Sequence, residues 1–179
     1  MSESTQRPTI FLYTDGAASG NPGPGGFGVI LRYGNAEKEI SGGAAETTNN
    51  RMELTGPIEA LSLLKEPCRV SLYSDSTYVI DAFNKGWVRG WEKNGWKRKD
   101  GELKNTDLWQ ALLKLCRKHE VLWIKVKGHA DNEYNNRCDR MAVSAAAAFK
   151  KPSARDTVYE GELEEKVLGK KDIFAGRVF

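Results

Sequence analysis

The sequence predicts an α/β fold, in which helices pack against a mixed β-sheet. Two features favour this class: short apolar runs typical of strands come first, and helical periodicity then alternates with further strand-like runs. Three successive strands indicate an antiparallel meander, and later strands separated by helices indicate parallel crossovers. A chain of 179 residues has room for one domain with a single core.

The meander is predicted from three segments near the N-terminus. Residues 9–15 (TIFLYTD) are apolar enough for a buried strand, and residues 27–33 and 36–43 have the composition of two more strands. The intervening residues 20–26 (GNPGPGG) are predicted to form a turn, because Gly and Pro dominate them. The first half of the sheet is therefore expected to be antiparallel.

The rest of the chain is predicted to alternate between helix and strand, which gives the overall order β-β-β-α-β-α-α-β-α. The predicted elements are a helix at 50–65, a strand at 69–74, a short helix at 76–84, a helix at 106–118, a strand at 121–126 and an Ala-rich helix at 136–149. Between the second and third helices, residues 85–104 are basic, aromatic and interrupted by glycines. We expect no regular element there.

The ends of the chain and its cysteines suggest a monomeric cytoplasmic protein without membrane contact. No apolar run reaches the about 18 residues that a membrane span requires, and residues 1–8 are polar and are expected to be a flexible N-terminus. The three cysteines are far apart and form no CxxC pair, so we expect reduced thiols. The folded domain is predicted at 9–149, and residues 150–179 are predicted to form a tail dense in charges of both signs.

The positive charge of the chain is concentrated in one short segment. Residues 85–104 hold seven basic and three acidic side chains, so this segment carries +4 while the whole chain carries only +3. Such a concentration indicates a local contact with a polyanion.

Four acidic residues are candidates for a metal site. Asp15 and Asp75 each lie at the C-terminal end of a predicted strand in similar contexts, Tyr-Thr-Asp-Gly and Tyr-Ser-Asp-Ser, while Glu53 and Asp139 lie near the starts of predicted helices. Ligand sites of open α/β sheets form at the carboxyl ends of strands, so these carboxylates are expected to converge. Their mutual repulsion would be relieved by hard cations such as Mg²⁺, and two such ions about 4 Å apart could clamp a phosphodiester.

Each acid also has a purely structural interpretation. Asp15 before Gly16 could begin a turn, and Asp75 could cap a helix. Glu53 and Asp139 could be solvated residues near the positive end of a helix dipole.

The motifs around these acids resemble bacterial ribonuclease HI, a type I ribonuclease H. The matching stretches are YTDGAASGNPGPGGFG at 13–28, TTNNRMEL at 47–54, YSDS at 73–76 and KVKGHADNEYNNRCD at 125–139. The resemblance extends over roughly residues 9–149. It implies a ribonuclease H-like fold, with a five-stranded mixed sheet flanked by helices on both faces.

The resemblance also implies an activity and a catalytic set. The expected reaction is hydrolysis of the RNA strand of RNA–DNA hybrids with two Mg²⁺ ions, for which Mn²⁺ could substitute, giving 5′-phosphate and 3′-hydroxyl products. Asp15, Glu53, Asp75 and Asp139 would bind the metals, and His129 would assist. Two roles for His129 stay open, which are accepting a proton from the attacking water and easing product release. His119, at a helix end, is expected to have no role.

Substrate recognition is implied on the same basis. Asn49 and Asn50 would read the ribose 2′-hydroxyl, since an amide can both donate and accept hydrogen bonds. Further substrate contacts are implied for Asn21, Thr48, Trp87, Trp91, Lys93, Lys97, Arg98, Lys99 and Asn105. Within this group the basic segment 85–104 corresponds to the basic protrusion of the family, whose Lys and Arg side chains would bind DNA phosphates. For each tryptophan, packing against the body of the domain is the alternative.

Three other functions are alternatives to this one. A DNA-cutting nuclease of the same superfamily would also use an acidic set, but TNNRME and the basic segment favour hybrids. A non-catalytic hybrid-binding module would be expected to lack one of the acids, and all four are present. A stand-alone descendant of a reverse transcriptase's ribonuclease H domain is the third.

Overall fold

A computed structural model of the chain describes residues 6–98, 100–127 and 132–150 and has the predicted mixed sheet. Its elements are β1 (Thr9–Ala18), β2 (Gly23–Tyr33), β3 (Ala36–Thr47), α1 (Asn49–Ser62), β4 (Arg69–Ser74), α2 (Thr77–Asn84), α3 (Trp87–Lys93), α4 (Thr106–Cys116), β5 (Glu120–Lys125) and α5 (Glu133–Ala148). The strand order is β3-β2-β1-β4-β5, in which β1, β2 and β3 pair antiparallel and β4 is parallel to both β1 and β5. Lys99, His129 and the predicted tail beyond residue 150 lie outside the described residues.

The turn predicted at residues 20–26 is wrong over its second half. Gly23–Tyr33 is one strand, and the pairing of Ala18 with Gly25 continues the β1–β2 ladder to the tip of the hairpin. The glycines in this strand allow a helix to approach closely rather than the chain to turn. A Cβ built on Gly26 would lie 2.5 Å from the carbonyl oxygen of Ala142 in α5.

The basic segment contains a helix, α3, that the sequence did not predict. Gly90 lies inside this helix and does not end it. The element forms because Val88 is buried and because Trp91 meets Trp109 of α4 edge-on, with ring centroids 5.2 Å apart. Tertiary packing thus outweighs the low helix propensity of glycine. The described part of the chain therefore has one helix more than the predicted order.

Helices cover both faces of the sheet, as predicted. Alternate residues of a strand point to opposite faces. On β1, Leu12 therefore joins the main core beneath α1, α2 and α4, and its neighbour Tyr13 packs with Ile30 and with Cys138 of α5 on the other face. The end of the β1–β4 pairing, near the predicted acids Asp15 and Asp75, therefore lies between helices on both faces of the sheet.

His119 has a structural contact, contrary to expectation. Its Nδ1 atom accepts a hydrogen bond of 3.0 Å from the backbone N–H of Cys68, which ties the end of α4 to the start of β4. Burial lowers the pKa of His119, which favours the neutral ring that this contact requires. Cys68, Cys116 and Cys138 are all free thiols. Among the described helices none combines the length and apolarity needed to cross a membrane.

Candidate active site

Asp15 and Asp75 lie at a fork between β1 and β4. The parallel pairing of these strands ends at Tyr13 and Tyr73, so each aspartate comes two residues beyond the last pair. From there β1 continues beside β2, with Asp15 opposite Gly28, while β4 ends at Ser74. The expectation that Asp15 ends its strand is wrong. The shared register at the fork, rather than two strand ends, brings the aspartates to the same level of the sheet.

Glu53 reaches this fork because α1 rests directly on β1. A Cβ built on Gly16 would lie 2.6 Å from the backbone nitrogen of Glu53, so only glycine permits this approach. The helix begins with Thr48 as its N-cap, whose hydroxyl accepts a hydrogen bond of 3.2 Å from the Arg51 N–H. Glu53 thus lies one turn into a helix whose start is fixed.

Three of the four predicted acids form one cluster. Asp15, Glu53 and Asp75 each offer a carboxylate oxygen within 4.8 Å of the others, and all three are half-buried. The fourth, Asp139 of α5, lies beside Asp15, to which it is coupled by charge and by a hydrogen bond, but it is not part of that group. Three of the four acids therefore converge as predicted, and Asp139 lies at the edge of their cluster.

Burial and mutual repulsion raise the pKa values of the cluster. Burial, followed by the charge of Asp75, raises the pKa of Asp15 to about 8. Burial likewise raises the pKa of Glu53 to about 7, against the opposing effect of hydrogen bonds from Ser76 and Asn49. A divalent cation would remove this cost, and an all-oxygen donor set suits hard cations. The residues present therefore fit a metal site.

The predicted recognition residues of α1 adjoin this cluster in a cleft of about 780 Å³. Its lining includes Asn21, Thr48, Asn49, Asn50 and Asn105, which come from three separate parts of the chain. The Asn21 side chain accepts a hydrogen bond of 2.9 Å from the Asn49 N–H, and the Asn49 amide donates to Glu53 Oε1 at 3.3 Å. One side chain therefore connects the cleft to the acidic cluster.

Arg51 was missed as a site residue. It is fully buried, and its guanidinium forms two hydrogen bonds to the Asp107 carboxylate, at 3.0 and 2.8 Å, and a third to Asn105 at 3.3 Å. These hydrogen bonds join the start of α1 to the start of α4 and so set the width of the cleft. An arginine near a helix start is indistinguishable from a solvated charge in sequence, so no local signal identifies it.

The aromatic residues of the basic protrusion, residues 85–104, divide between two environments. Trp91 packs on Trp109, as the packing alternative requires. Trp87 is 44% exposed, and the Lys85 ammonium lies 5.5 Å from the centre of its ring. The basic side chains at 93, 97 and 98 are exposed as well. Contact of these residues with substrate stays a prediction.

Comparisons with known proteins agree with this geometry. The family model of RNase H matches residues 7–147. A ribonuclease H from Acetivibrio thermocellus is 60% identical over 134 residues, which cover 74% of this chain and 91% of that protein. A ribonuclease H from Moorella thermoacetica is 55% identical over 143 residues, covering 79% of this chain and 94% of the relative.

Solved structures share the fold. The crystal structure of LC9-RNase H1, a type 1 RNase H, superposes with a TM-score of 0.72 at 28% identity, covering 96% of this chain and 92% of that one. LC11-RNase H1, solved in complex with an RNA/DNA hybrid, gives a TM-score of 0.60 at 24% identity and covers 78% of this chain and 97% of its own.

The raised pKa of Asp15 predicts a pH-dependent gain in stability for Asp15→Asn in the metal-free protein. The folded state holds a proton on Asp15 up to about pH 8, whereas the unfolded chain loses it near pH 4. Asp15 therefore destabilises the fold increasingly as pH rises between these values. With chelator present, Asp15→Asn should raise Tm by a few degrees at about pH 9 and hardly at all at about pH 4.

The matched control is Asp81→Asn, which removes a partly exposed carboxylate that is paired with the exposed Lys85 at 3.3 Å. It should not raise Tm at either pH, because Asp81 has a cation beside it rather than other carboxylates. A gain for Asp15→Asn that is equal at both pH values, or no gain at all, would show that the cluster is not repulsive.

Proposed function

The chain belongs to the RNase H family, and we propose that it hydrolyses the RNA strand of RNA–DNA hybrids at the cluster of Asp15, Glu53 and Asp75, with two divalent cations as cofactors. It is a ribonuclease H enzyme that acts on RNA–DNA hybrids. The observation that carries the metal-dependent mechanism is the approach of three carboxylate oxygens to within 4.8 Å of one another. Carboxylates this close together destabilise the folded state unless cations neutralise their charge, and the raised pKa values of Asp15 and Glu53 reflect that cost.

The three clustered carboxylates would hold the cations, with Asp139 as a further ligand beside Asp15. The chemistry that two bound divalent cations supply is activation of the attacking water and stabilisation of the departing oxygen. We propose Mg²⁺ as the physiological ion, with Mn²⁺ able to replace it. Water attack at phosphorus with departure of the 3′ oxygen gives 5′-phosphate and 3′-hydroxyl ends.

Recognition of the RNA strand is assigned to the amides next to Glu53. We propose that Asn49 and Asn50 contact the ribose 2′-hydroxyl, which distinguishes RNA from DNA. Because the Asn49 amide already donates to Glu53 at 3.3 Å, a ribose bound there would lie one side chain away from the cluster. Recognition of the ribose and positioning of its phosphate at the acidic cluster would then be linked through the Asn49 side chain.

The DNA strand is assigned to the far side of the cleft and to the basic protrusion. Asn21, Thr48 and Asn105 line the same cleft and would contact phosphates. Lys93, Lys97, Arg98 and Lys99 would contact further phosphates, beside Trp87 and Trp91. The edge-on contact of Trp91 with Trp109 holds the protrusion against α4, whose first turn lines the same cleft.

Two further parts of the proposal concern residues and conditions around the site. His129 would accept a proton from the attacking water or ease product release. We also propose a monomeric cytoplasmic enzyme; its free thiols suit a reducing compartment, and the relatives compared above are bacterial.

Cleavage of defined substrates tests the function directly. End-labelled RNA–DNA hybrid, duplex DNA and duplex RNA are each incubated with Mg²⁺, Mn²⁺ or chelator. We expect cleavage of the RNA strand of the hybrid alone, loss of cleavage with chelator, and a loss of at least about 10³-fold in kcat for Asp75→Asn. Asp81→Asn, on the surface of α2, should keep full activity. Cleavage of duplex DNA, or activity that persists in Asp75→Asn, would contradict the proposal.

The protrusion is tested by the salt dependence of hybrid binding. Each phosphate contact that is lost should flatten the slope of log affinity against log salt by about one. The double variant Lys97→Ala/Arg98→Ala should therefore bind more weakly with a shallower slope, while kcat at saturating hybrid stays unchanged. The control Lys114→Ala/Lys118→Ala removes the same charge at the other end of α4, about 15 Å from the cleft. Equal slopes for both double variants would remove the protrusion from substrate binding.

A further inference from the structure

A side chain of α5 bridges β1 and β4 at the fork. The Asn135 amide nitrogen lies 3.5 Å from the carbonyl oxygen of Thr14 and 3.4 Å from that of Tyr73. Thr14 is bonded to Asp15, and Tyr73 comes two residues before Asp75. An NH₂ group carries two hydrogens, so it can serve one carbonyl on each strand.

The amide stands where the sheet's own hydrogen bonding stops. Parallel pairing between β1 and β4 ends at Tyr13 and Tyr73. Beyond that pair the two strands are no longer held to each other by ladder bonds, although both carry an acid of the cluster. Asn135 supplies donors from outside the sheet in place of the missing ladder donors.

The carbonyl oxygen of the Asn135 amide shows that this placement lowers the stability of the fold. The Asn135 Oδ1 atom is buried and accepts no hydrogen bond from any residue that the structure describes. Leaving such an acceptor unpaired costs about 1–3 kcal/mol, which an apolar side chain of the same shape would avoid. Packing alone would therefore favour leucine at this position, so what the amide contributes here is its two donors.

The surrounding contacts hold Asn135 still. Asn132 caps α5 by accepting a hydrogen bond of 3.2 Å from the Asn135 N–H. Tyr134 stacks on Tyr13 at 4.6 Å, and Tyr13 stacks in turn on Tyr73 at 4.9 Å. The first turn of α5 is thereby fixed against both strands just below the fork.

We propose that Asn135 is a positioning residue for metal binding, whose amide sets the spacing between Asp15 and Asp75 and couples it to α5, the helix that carries Asp139. The inference rests on the proposed metal-dependent function. Without the amide the two strand ends can separate, so the carboxylates should bind a divalent cation more weakly. The hybrid cleft is lined by Asn21, by residues 48–51 and by residues 102–107, whereas the Asn135 amide contacts β1 and β4, so the cleft should be unaffected.

Calorimetric titration of the metal-free full-length chain with Mg²⁺ tests this role. Asn135→Leu keeps the side-chain shape and removes both donors, so its Tm should equal or exceed that of the wild type. Its Kd for Mg²⁺ should nevertheless rise about tenfold, as for other groups that orient metal ligands. Its kcat should fall at limiting Mg²⁺ and recover as Mg²⁺ is raised, with KM for hybrid unchanged. Asn135→Ala should weaken Mg²⁺ binding equally.

The control is Arg137→Ala, which removes the ion pairs from the same helix to Glu37 and Glu39 of β3 and leaves the Asn135 contacts with β1 and β4 in place. It should leave the Kd for Mg²⁺ within about twofold of the wild type. The inference is overturned if Asn135→Leu binds Mg²⁺ as the wild type does, or if Arg137→Ala weakens binding as much. The proposed function fails separately, if wild-type protein binds no Mg²⁺ and cuts no hybrid.

Discussion

Repulsion among three half-buried carboxylates is the constraint on which the rest of the site depends. Asp15, Glu53 and Asp75 lie within 4.8 Å of one another, and burial with mutual charge raises the pKa of Asp15 to about 8. The folded state would be more stable on its own if these three carboxylates lay further apart. The surrounding structure instead holds them together, which is the arrangement a cation-dependent phosphodiesterase requires.

Several separate contacts maintain this arrangement. Gly16 lets α1 rest on β1, and Gly28 of β2 likewise lets α5 approach, since a Cβ there would lie 2.4 Å from the Cys138 carbonyl oxygen. The buried side chain of Arg51 joins α1 to α4 by an ion pair with the exposed carboxylate of Asp107. The acids are therefore carried by elements whose relative positions are fixed by close backbone contacts and by one buried guanidinium.

The sequence was sufficient for the mixed sheet and for the convergence of three of the four predicted acids, because both depend on local patterns. It failed where the cause is distant. The glycines at 23–26 indicated a turn, yet they belong to a strand, in which Gly26 packs against α5. Arg51 contacts Asp107, which lies 56 residues away in the chain, and Asn135 contacts Thr14, which lies 121 residues away. No local pattern reveals contacts over such distances. The fork itself follows from strand register, which periodicity does not specify.

The claim that a cation relieves this repulsion is tested most directly by counting protons. Asp15 and Glu53, with pKa values raised to about 8 and about 7, are partly protonated near neutrality without metal. Cation binding requires their ionised forms, so Mg²⁺ must displace protons. Calorimetric titration with Mg²⁺ at about pH 7, in two buffers of different ionisation enthalpy, measures this release. Relief of repulsion predicts net proton release that shrinks in Asp15→Asn, whereas Mg²⁺ binding without proton release would contradict it.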